Sequence, residues 1–174
     1  PTHKLQPINL SALVEQLSQE GMTLSGGKQT FDTVIEPNLW IQGVQLDLYN
    51  ALSNLVFNAV RYNHDGGHIA ILHSSDNAAN ARFSVTDNGP GIAAEHIPRL
   101  TERFYRVDAG RSRASGGTGL GLAITKHALA EHGSRLEVES TVGKGSEFSA
   151  EFSLISKPQA VSLSGNTSPE LTTI

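Results

Sequence analysis

Segments with helical periodicity alternate with pairs of segments with strand periodicity, and this order limits the fold more than any other feature of the chain. The apolar residues predict helices over 9–20, 45–62 and 120–132. Strands are expected over 31–35, which forms a short pair with 39–41, and over 69–73, 81–87, 135–140 and 147–154. Strands that arrive as adjacent pairs favour a mixed or antiparallel sheet with helices on one face. The predicted fold is therefore an α/β two-layer sandwich with a mixed sheet.

Length and composition exclude several classes of protein. A chain of 174 residues suits one domain, and no apolar run approaches the ~20 residues of a membrane-spanning helix. No basic-then-apolar leader is present, so we expect a soluble chain. The absence of cysteine excludes disulfides, thiolate metal sites and cysteine nucleophiles. A net charge of −4 disfavours a nucleic-acid-binding face. Because the sequence opens at Pro1, we expect a segment of a longer protein.

The predicted helix over 45–62 has an apolar face and a separate polar face that is rich in carboxamides. With about 100° between successive residues, the polar face contains Asp47, Asn50, Asn54, Asn58 and Arg61. A carboxamide oxygen suits Mg²⁺ that is shared with phosphates, and a guanidinium neutralises phosphate charge. The alternative is a solvated face, although Glu and Lys favour helices more than Asn does and would be more natural there.

The predicted strand over 81–87 places a carboxylate where its alternation calls for a buried residue. Ala81, Phe83, Val85 and Asp87 share one face of this strand. Burial of a carboxylate is costly unless the group accepts hydrogen bonds. From Asp87 alone, a cap on the turn that follows the strand is the favoured interpretation. A contact with the exocyclic amine of an adenine that lies over the sheet is the alternative.

Three glycine clusters, at 87–91, 116–122 and 143–145, are suited to turns or to close backbone contact with a ligand. The second cluster opens a predicted helix, so its glycines and the helix N-terminus together suit a phosphate group. The chain lacks both common nucleotide fingerprints, the G-x-x-x-x-G-K-[ST] loop and the G-x-G-x-x-G turn. One glycine cluster by itself more often serves only a turn.

A long segment before the last predicted helix is rich in arginine. It contains Arg99, Arg103, Arg106, Arg111 and Arg113. Beside a phosphate site, such a segment is typical of a lid that orders on binding, and a solvated charged loop is the alternative. The Phe104-Tyr105 pair favours a docking contact, because exposed aromatic residues in a loop often have a partner. The histidines, serines and carboxylates match no hydrolytic or metal-binding pattern.

Five motifs together resemble the catalytic ATP-binding domain of sensor histidine kinases. In chain order they are Asn54-Leu-Val-Phe-Asn58-Ala-Val-Arg61-Tyr62, Asp87-Asn-Gly89-Pro-Gly91-Ile92, Glu102-Arg-Phe104-Tyr-Arg106, Gly117-Thr-Gly119-Leu-Gly121-Leu122 and Gly143-Lys-Gly145. They are similar to the asparagine, glycine and phenylalanine boxes of the gyrase, heat-shock chaperone, histidine kinase and MutL ATPase superfamily, which has the Bergerat fold. The match covers Leu46 to Phe152. The run from Pro90 to Thr125 is similar to sensor kinases of the phosphate regulon.

The resemblance implies roles for individual residues. Asn58 would coordinate Mg²⁺ with support from Asn54. Asp87 would bind the adenine amine, and Tyr62 would pack near the adenine. The implied nucleotide-binding set is Asn54, Asn58, Arg61, Tyr62, Asp87, Gly89, Gly91, Ile92, Phe104, Gly117, Thr118, Gly119, Leu120 and Gly121. The implied catalytic set is Asn54, Arg103, Arg106, Arg111 and Arg113. Which of the arginines stabilises the γ-phosphate stays open.

One residue separates the branches of this superfamily. The gyrase and MutL ATPases activate water with a glutamate one helical turn before the metal-binding asparagine, and here that position is Asn54, which cannot act as a base. Transfer of the γ-phosphoryl group to a histidine is therefore expected, since phosphoryl transfer depends mainly on positioning and charge neutralisation. The alternatives are an ATP hydrolase of the gyrase or MutL kind and a non-catalytic module that senses nucleotide.

The resemblance also predicts the surroundings of this domain. Residues 1–20 would be the end of a linker from dimerisation helices together with the first helix, 21–155 the ATP-binding domain, and 156–174 a disordered tail. No histidine has the setting of the family's phosphoacceptor, so the acceptor would lie on a separate helical domain of the same or a sister chain, and this fragment would be monomeric. A response regulator would be the partner of the full-length kinase. The domain would be cytoplasmic and the full-length protein anchored in the inner membrane.

Overall fold

The helices and strands follow the predicted order, with one strand added before the first helix. The computed structural model describes residues 4–77, 79–107 and 121–159. The elements are β1 (Gln6–Asn9), α1 (Leu10–Ser25), β2 (Thr30–Ile35), β3 (Trp40–Gly43), α2 (Gln45–Arg61), β4 (His68–Ser75), β5 (Asn80–Asp87), a 3-10 turn at Ile97–Arg99, α3 (Gly121–Glu131), β6 (Glu137–Thr141) and β7 (Gly145–Ser153). No helix in these ranges has the length and apolar character needed to cross a membrane. Most of the predicted tail, 160–174, lies outside the described residues.

The main sheet has the strand order β2-β4-β5-β7-β6. β2 runs parallel to β4 and every other pair of neighbours is antiparallel, which confirms the predicted mixed sheet. The connection from β2 to β4 passes through α2, because parallel neighbours require a long crossover. α1 and α2 pack on the sheet face that carries the buried residues of β4 and β5. The α/β two-layer sandwich predicted from the sequence is thus the observed architecture.

The predicted pairing of 31–35 with 39–41 is wrong. β2 pairs with β4, whereas β3 pairs with β1 in a separate two-stranded antiparallel sheet. Pro37 has no backbone N–H to give to a ladder, and Asn38 takes a positive φ of 61°. The chain therefore turns out of the main sheet between the two strands. β1 was not predicted because it is short and Ile8 is its single large aliphatic side chain.

The hydrophobic core lies between the helices and the main sheet. Its largest helical contributions are Leu10, Leu13, Val14 and Leu17 of α1 and Leu48, Leu52, Leu55 and Val56 of α2. Full burial of each leucine contributes roughly 2 kcal/mol relative to exposure. α1 continues past its predicted end at Glu20 to Ser25, where Gly26 terminates it in the left-handed conformation at φ 57°. The helix packs closely there, since a Cβ on Gly21 would lie 2.8 Å from Val56 Cγ1.

One core position of β4 is a histidine. His73 is fully buried, and neither ring nitrogen has a hydrogen-bond partner among the described residues. Burial lowers the pKa of His73 to about 4, and the nearby Glu36 carboxylate opposes this shift only in part. The imidazole is therefore neutral in the folded protein at neutral pH.

We predict that His73 makes the domain sensitive to acid. The unfolded chain binds a proton at His73 near pH 6.5, whereas the folded chain binds it only near pH 4. The free energy of unfolding therefore falls as the pH falls through this window, by about 2 kcal/mol between pH 7 and pH 5 from this group. Urea unfolding at the two pH values should show that His73→Leu removes this part of the pH dependence. His127→Gln on the exposed face of α3 is the control and should retain it; an unchanged slope in His73→Leu would contradict the assignment.

Candidate nucleotide-binding site

The polar face of α2 begins the candidate site and fastens α2 to α3. Asn54 is half-buried, and its Nδ2 donates to the Gly121 carbonyl oxygen at 3.1 Å. Thr125 of α3 is fully buried and donates its hydroxyl to the Ala51 carbonyl oxygen at 2.9 Å. Asn54 therefore holds the first turn of α3, the end of the second glycine cluster, against α2.

Asn58 lies one turn further along α2 and is half-buried, and its side chain makes no hydrogen bond with another described residue. Arg61 and Tyr62 follow at the C-terminal end, and both are exposed. The helix ends at Arg61, where the Tyr62 N–H donates to the Asn58 carbonyl oxygen at 3.0 Å. The predicted carboxamide face is thus followed by an exposed cation and an exposed aromatic ring.

Asp87 ends β5 at a position that the strand alternation predicted to be buried, and it is half-buried there. Burial raises the pKa of this carboxyl group, and the backbone N–H groups of Gly89 and Ser146, which donate to it, lower the pKa by less. The Gly89 N–H donates to Asp87 Oδ1 at 2.9 Å. The turn cap considered in the sequence analysis is therefore present. The hydrogen bonds of this cap only partly replace the hydration that the carboxylate loses on burial, so its pKa stays raised.

The loop after β5 is held by the hairpin of β6 and β7. The Gly143 N–H donates to the Pro90 carbonyl oxygen at 2.8 Å, and the Ile92 N–H donates to Ser140 Oγ at 2.7 Å. At Gly91, where φ is 73°, a Cβ would lie only 2.2 Å from the Thr141 carbonyl oxygen. The third glycine cluster and Ser140 thus hold the first cluster in place, a role that was not predicted from the sequence.

An open depression of about 420 Å³ lies between the end of α2 and the loop after β5. It is lined by Tyr62, Asn63, His64, Asn88, Gly89, Pro90 and Gly143. The structure therefore brings the end of the asparagine motif beside the first glycine motif. Another depression, of about 360 Å³, lies near Arg135 and Glu151 and is lined by none of the predicted site residues. The sequence did not predict that Asn63 and Asn88 line this depression, because each lies in a turn motif whose composition already explains an asparagine.

The described half of the predicted lid is a packed stem. Leu100 is buried, the Tyr105 hydroxyl bonds to His96 Nδ1, and the Arg99 guanidinium stacks 4.4 Å from the centroid of the Tyr105 ring. Phe104 takes a positive φ of 65° and is 71% exposed. A non-glycine residue at positive φ is held there by its surroundings. The stem therefore presents Phe104 to solvent.

Only some of the predicted site residues of the lid lie among the described residues. Arg103 is exposed and Arg106 is half-buried. Six predicted site residues lie outside the described residues: Arg111, Arg113, Gly117, Thr118, Gly119 and Leu120. Their roles stay predictions, as does the choice among the arginines.

We predict that Gly91→Ala destabilises the domain more than Gly27→Ala. Both glycines have positive φ, 73° at Gly91 and 84° at Gly27, but only the Gly91 substitution places a Cβ against backbone, because nothing lies within 4 Å of the Gly27 position. Gly27→Ala should cost about 1–2 kcal/mol from backbone strain alone, and Gly91→Ala should cost distinctly more. Chemical denaturation of both variants measures the difference, and equal losses would contradict the close approach at Thr141.

Residues 43–156 match the family model described as histidine kinase-, DNA gyrase B-, and HSP90-like ATPase. The chain is 45% identical over 148 residues to the phosphate regulon sensor protein PhoR of Pseudomonas aeruginosa, an alignment that covers 84% of this chain and 33% of that protein. The chain thus spans about a third of the length of this relative.

Solved structures have the same fold. The mycobacterial sensor histidine kinase MprB superposes with a TM-score of 0.77 at 24% identity, over 86% of this chain and 98% of that chain. Full-length ShkA, solved in complex with AMPPNP, superposes with a TM-score of 0.72 at 27% identity, over 92% of this chain and 33% of that chain. The chain belongs to the family of histidine kinase-, DNA gyrase B- and HSP90-like ATPases and is the catalytic ATP-binding domain of a sensor histidine kinase.

Proposed function

We propose that this domain binds ATP together with Mg²⁺ and donates the γ-phosphoryl group to a histidine on a separate helical phosphoacceptor domain, in a two-component sensor kinase of the phosphate-regulon type. A response regulator then receives the phosphoryl group from that histidine. The domain works on the cytoplasmic side of a membrane-anchored kinase. The likeness to PhoR supports the phosphate-regulon type, and the AMPPNP complex of ShkA supports an adenosine triphosphate as the ligand.

The observation that carries this proposal is the engagement of Asn54. A hydrolase needs a base at this point to activate water, but Asn54 is a neutral carboxamide whose Nδ2 is bonded to the Gly121 carbonyl oxygen. Asn54 therefore does not activate water in the candidate site. The terminal phosphoryl group stays available to a nucleophile that another domain brings.

The residues that would hold Mg·ATP fit its chemistry. Asn58 offers a half-buried carboxamide oxygen, the hard ligand that Mg²⁺ accepts alongside waters and phosphates. When bound, the metal neutralises phosphate charge, and Arg61 adds a cation one turn beyond Asn58. At the other end, ionised Asp87 accepts a hydrogen bond from the adenine amine. This hydrogen bond replaces part of the hydration that the carboxylate loses on burial.

We predict that the full chain, mixed with a purified phosphoacceptor helical domain of PhoR and γ-labelled ATP, transfers label to histidine. Asn58→Ala should slow transfer by roughly 100-fold, because a metal supplies several kcal/mol of charge stabilisation. Asn50→Ala, which removes an exposed carboxamide from the same helix, is the matched control and should leave transfer unchanged. Free phosphate without labelled histidine would contradict the proposal in favour of a hydrolase, and bound nucleotide with neither product would favour a sensing module.

We predict that Asp87→Asn abolishes ATP binding while it raises the melting temperature of the nucleotide-free domain at pH 7. The folded state raises the pKa of Asp87 above its ordinary value, so this group favours folding at acid pH and loses that contribution as the pH rises through its folded pKa. The neutral amide still accepts from the Gly89 N–H and carries no charge to desolvate. The melting difference between variant and wild type should grow from pH 4 to pH 7. Differential scanning fluorimetry of both proteins measures this difference. A difference in melting temperature that is the same at pH 4 and at pH 7 would contradict this account.

A further inference from the structure

The end of α2 and the loop after β5 meet close to Asp87, the residue proposed to bind the adenine. A Cβ on Gly89 would lie 3.1 Å from the Tyr62 carbonyl oxygen and 3.0 Å from Asp87 Oδ1, so the two segments are in close contact there. Tyr62 belongs to the first segment and Asp87 to the second. Their separation therefore depends on whatever fixes the two segments relative to each other.

Two carboxamides make that connection. Asn63 Nδ2 donates to the His68 carbonyl oxygen and to Asn88 Oδ1, each at 3.2 Å, and Asn88 Oδ1 also accepts from the His68 N–H at 2.7 Å. We call these two side chains and the His68 backbone the carboxamide clasp. The backbone partners fix the orientation of both amides, because a carbonyl only accepts and an N–H only donates. The Asn63 amide is thus the donor and the Asn88 oxygen is the acceptor.

Asn63 is also anchored from behind. Its Oδ1 accepts from the His64 N–H at 2.9 Å, and its own carbonyl oxygen accepts from Gln29 Nε2 at 3.4 Å. Gln29 is buried and also donates to the Val60 carbonyl oxygen at 3.2 Å, at the end of α2. The backbone is tight around the amide as well, since a Cβ on Gly67 would lie 2.4 Å from Asn63 Oδ1. The clasp is therefore attached to the core.

A simple turn role does not explain these contacts. A turn asparagine bonds to backbone groups a few residues away, as Asn77 does through its Oδ1 with the N–H groups of Ala79 and Asn80. Asn63, in the turn after α2, reaches the side chain of Asn88, which follows β5 and lies 25 residues along the chain. Both Asn63 and Asn88 line the depression that Tyr62 and Gly89 also line.

We infer that Asn63 is a positioning residue for nucleotide binding, which acts through Asn88 to set the separation of Tyr62 and Asp87. This inference rests on the proposed function, because it assigns the adenine to Asp87. Its effect is confined to the base. Loss of the clasp should lower the affinities for ATP and for ADP by the same factor. A defect among the residues that bind the phosphates would instead change the ratio of the two affinities.

The test is titration calorimetry of the full chain with Mg·ATP and with Mg·ADP. Asn63→Ala and Asn88→Leu should each lower the affinity for both nucleotides by about tenfold, the effect expected from the loss of one or two net hydrogen bonds. The double variant should be little worse than either single one, because both remove the same contact. Asn88→Asp keeps the acceptor oxygen and should restore affinity to within about twofold of wild type.

The control is Asn77→Ala, which removes two hydrogen bonds of an asparagine in the turn after β4 and should leave both affinities unchanged. If Asn63→Ala does not fold, the contrast between Asn88→Leu and Asn88→Asp decides the question alone. Wild-type affinity in the variants that lack the clasp, or additive losses in the double variant, would overturn the inference while the proposed function stands. A wild-type chain that binds neither nucleotide would overturn both.

Discussion

The half-buried carboxylate of Asp87 is the constraint on which the rest of the site depends. It ends a strand whose other inward residues are buried apolar side chains, and burial raises its pKa. Its own turn donates one backbone hydrogen bond, the β6–β7 hairpin packs against its backbone, and a Cβ on Gly145 would lie 1.9 Å from the Asp87 carbonyl oxygen. The surrounding scaffold thus holds a charged group in a place where folding alone would not put one.

This arrangement separates what stabilises the fold from what serves the ligand. The leucines of α1 and α2 fill the core without any polar requirement. Asn54, Asn58 and Asp87 instead occupy positions where better helix formers or a neutral side chain would be more stable. Such conflicts between local preference and stability are expected at functional sites. His73 is a further buried polar group, but it lies on β4 among core residues, and the proposed mechanism does not use it.

Much of the fold and the positions of Asp87 and the α2 carboxamides could be predicted, because they follow from the periodicity of the sequence. The alternation of Ala81, Phe83 and Val85 fixed the face on which Asp87 lies, and the 3.6-residue period of α2 separated its carboxamides from its leucines. The partner of β2 could not be predicted, because short-range patterns carry no information about which strand crosses over to which. β1 escaped detection for the same reason, since Ile8 becomes meaningful only when Ile41 is opposite it. The clasp between Asn63 and Asn88 could not be predicted for a similar reason. It joins two turns, and the local sequence of each turn already accounts for its asparagine.

We propose above all that Asp87 binds the amine of adenine, and carboxyl-carbon NMR of Asp87 tests this most directly. In the nucleotide-free domain the pKa of Asp87 should lie above its ordinary value, because burial disfavours the charge. Saturation with Mg·ATP should lower that pKa, since the amine donates to the ionised form. Guanosine triphosphate, which presents a carbonyl oxygen at the equivalent ring position, should not lower it. An Asp87 titration that is the same with and without ATP would contradict the account.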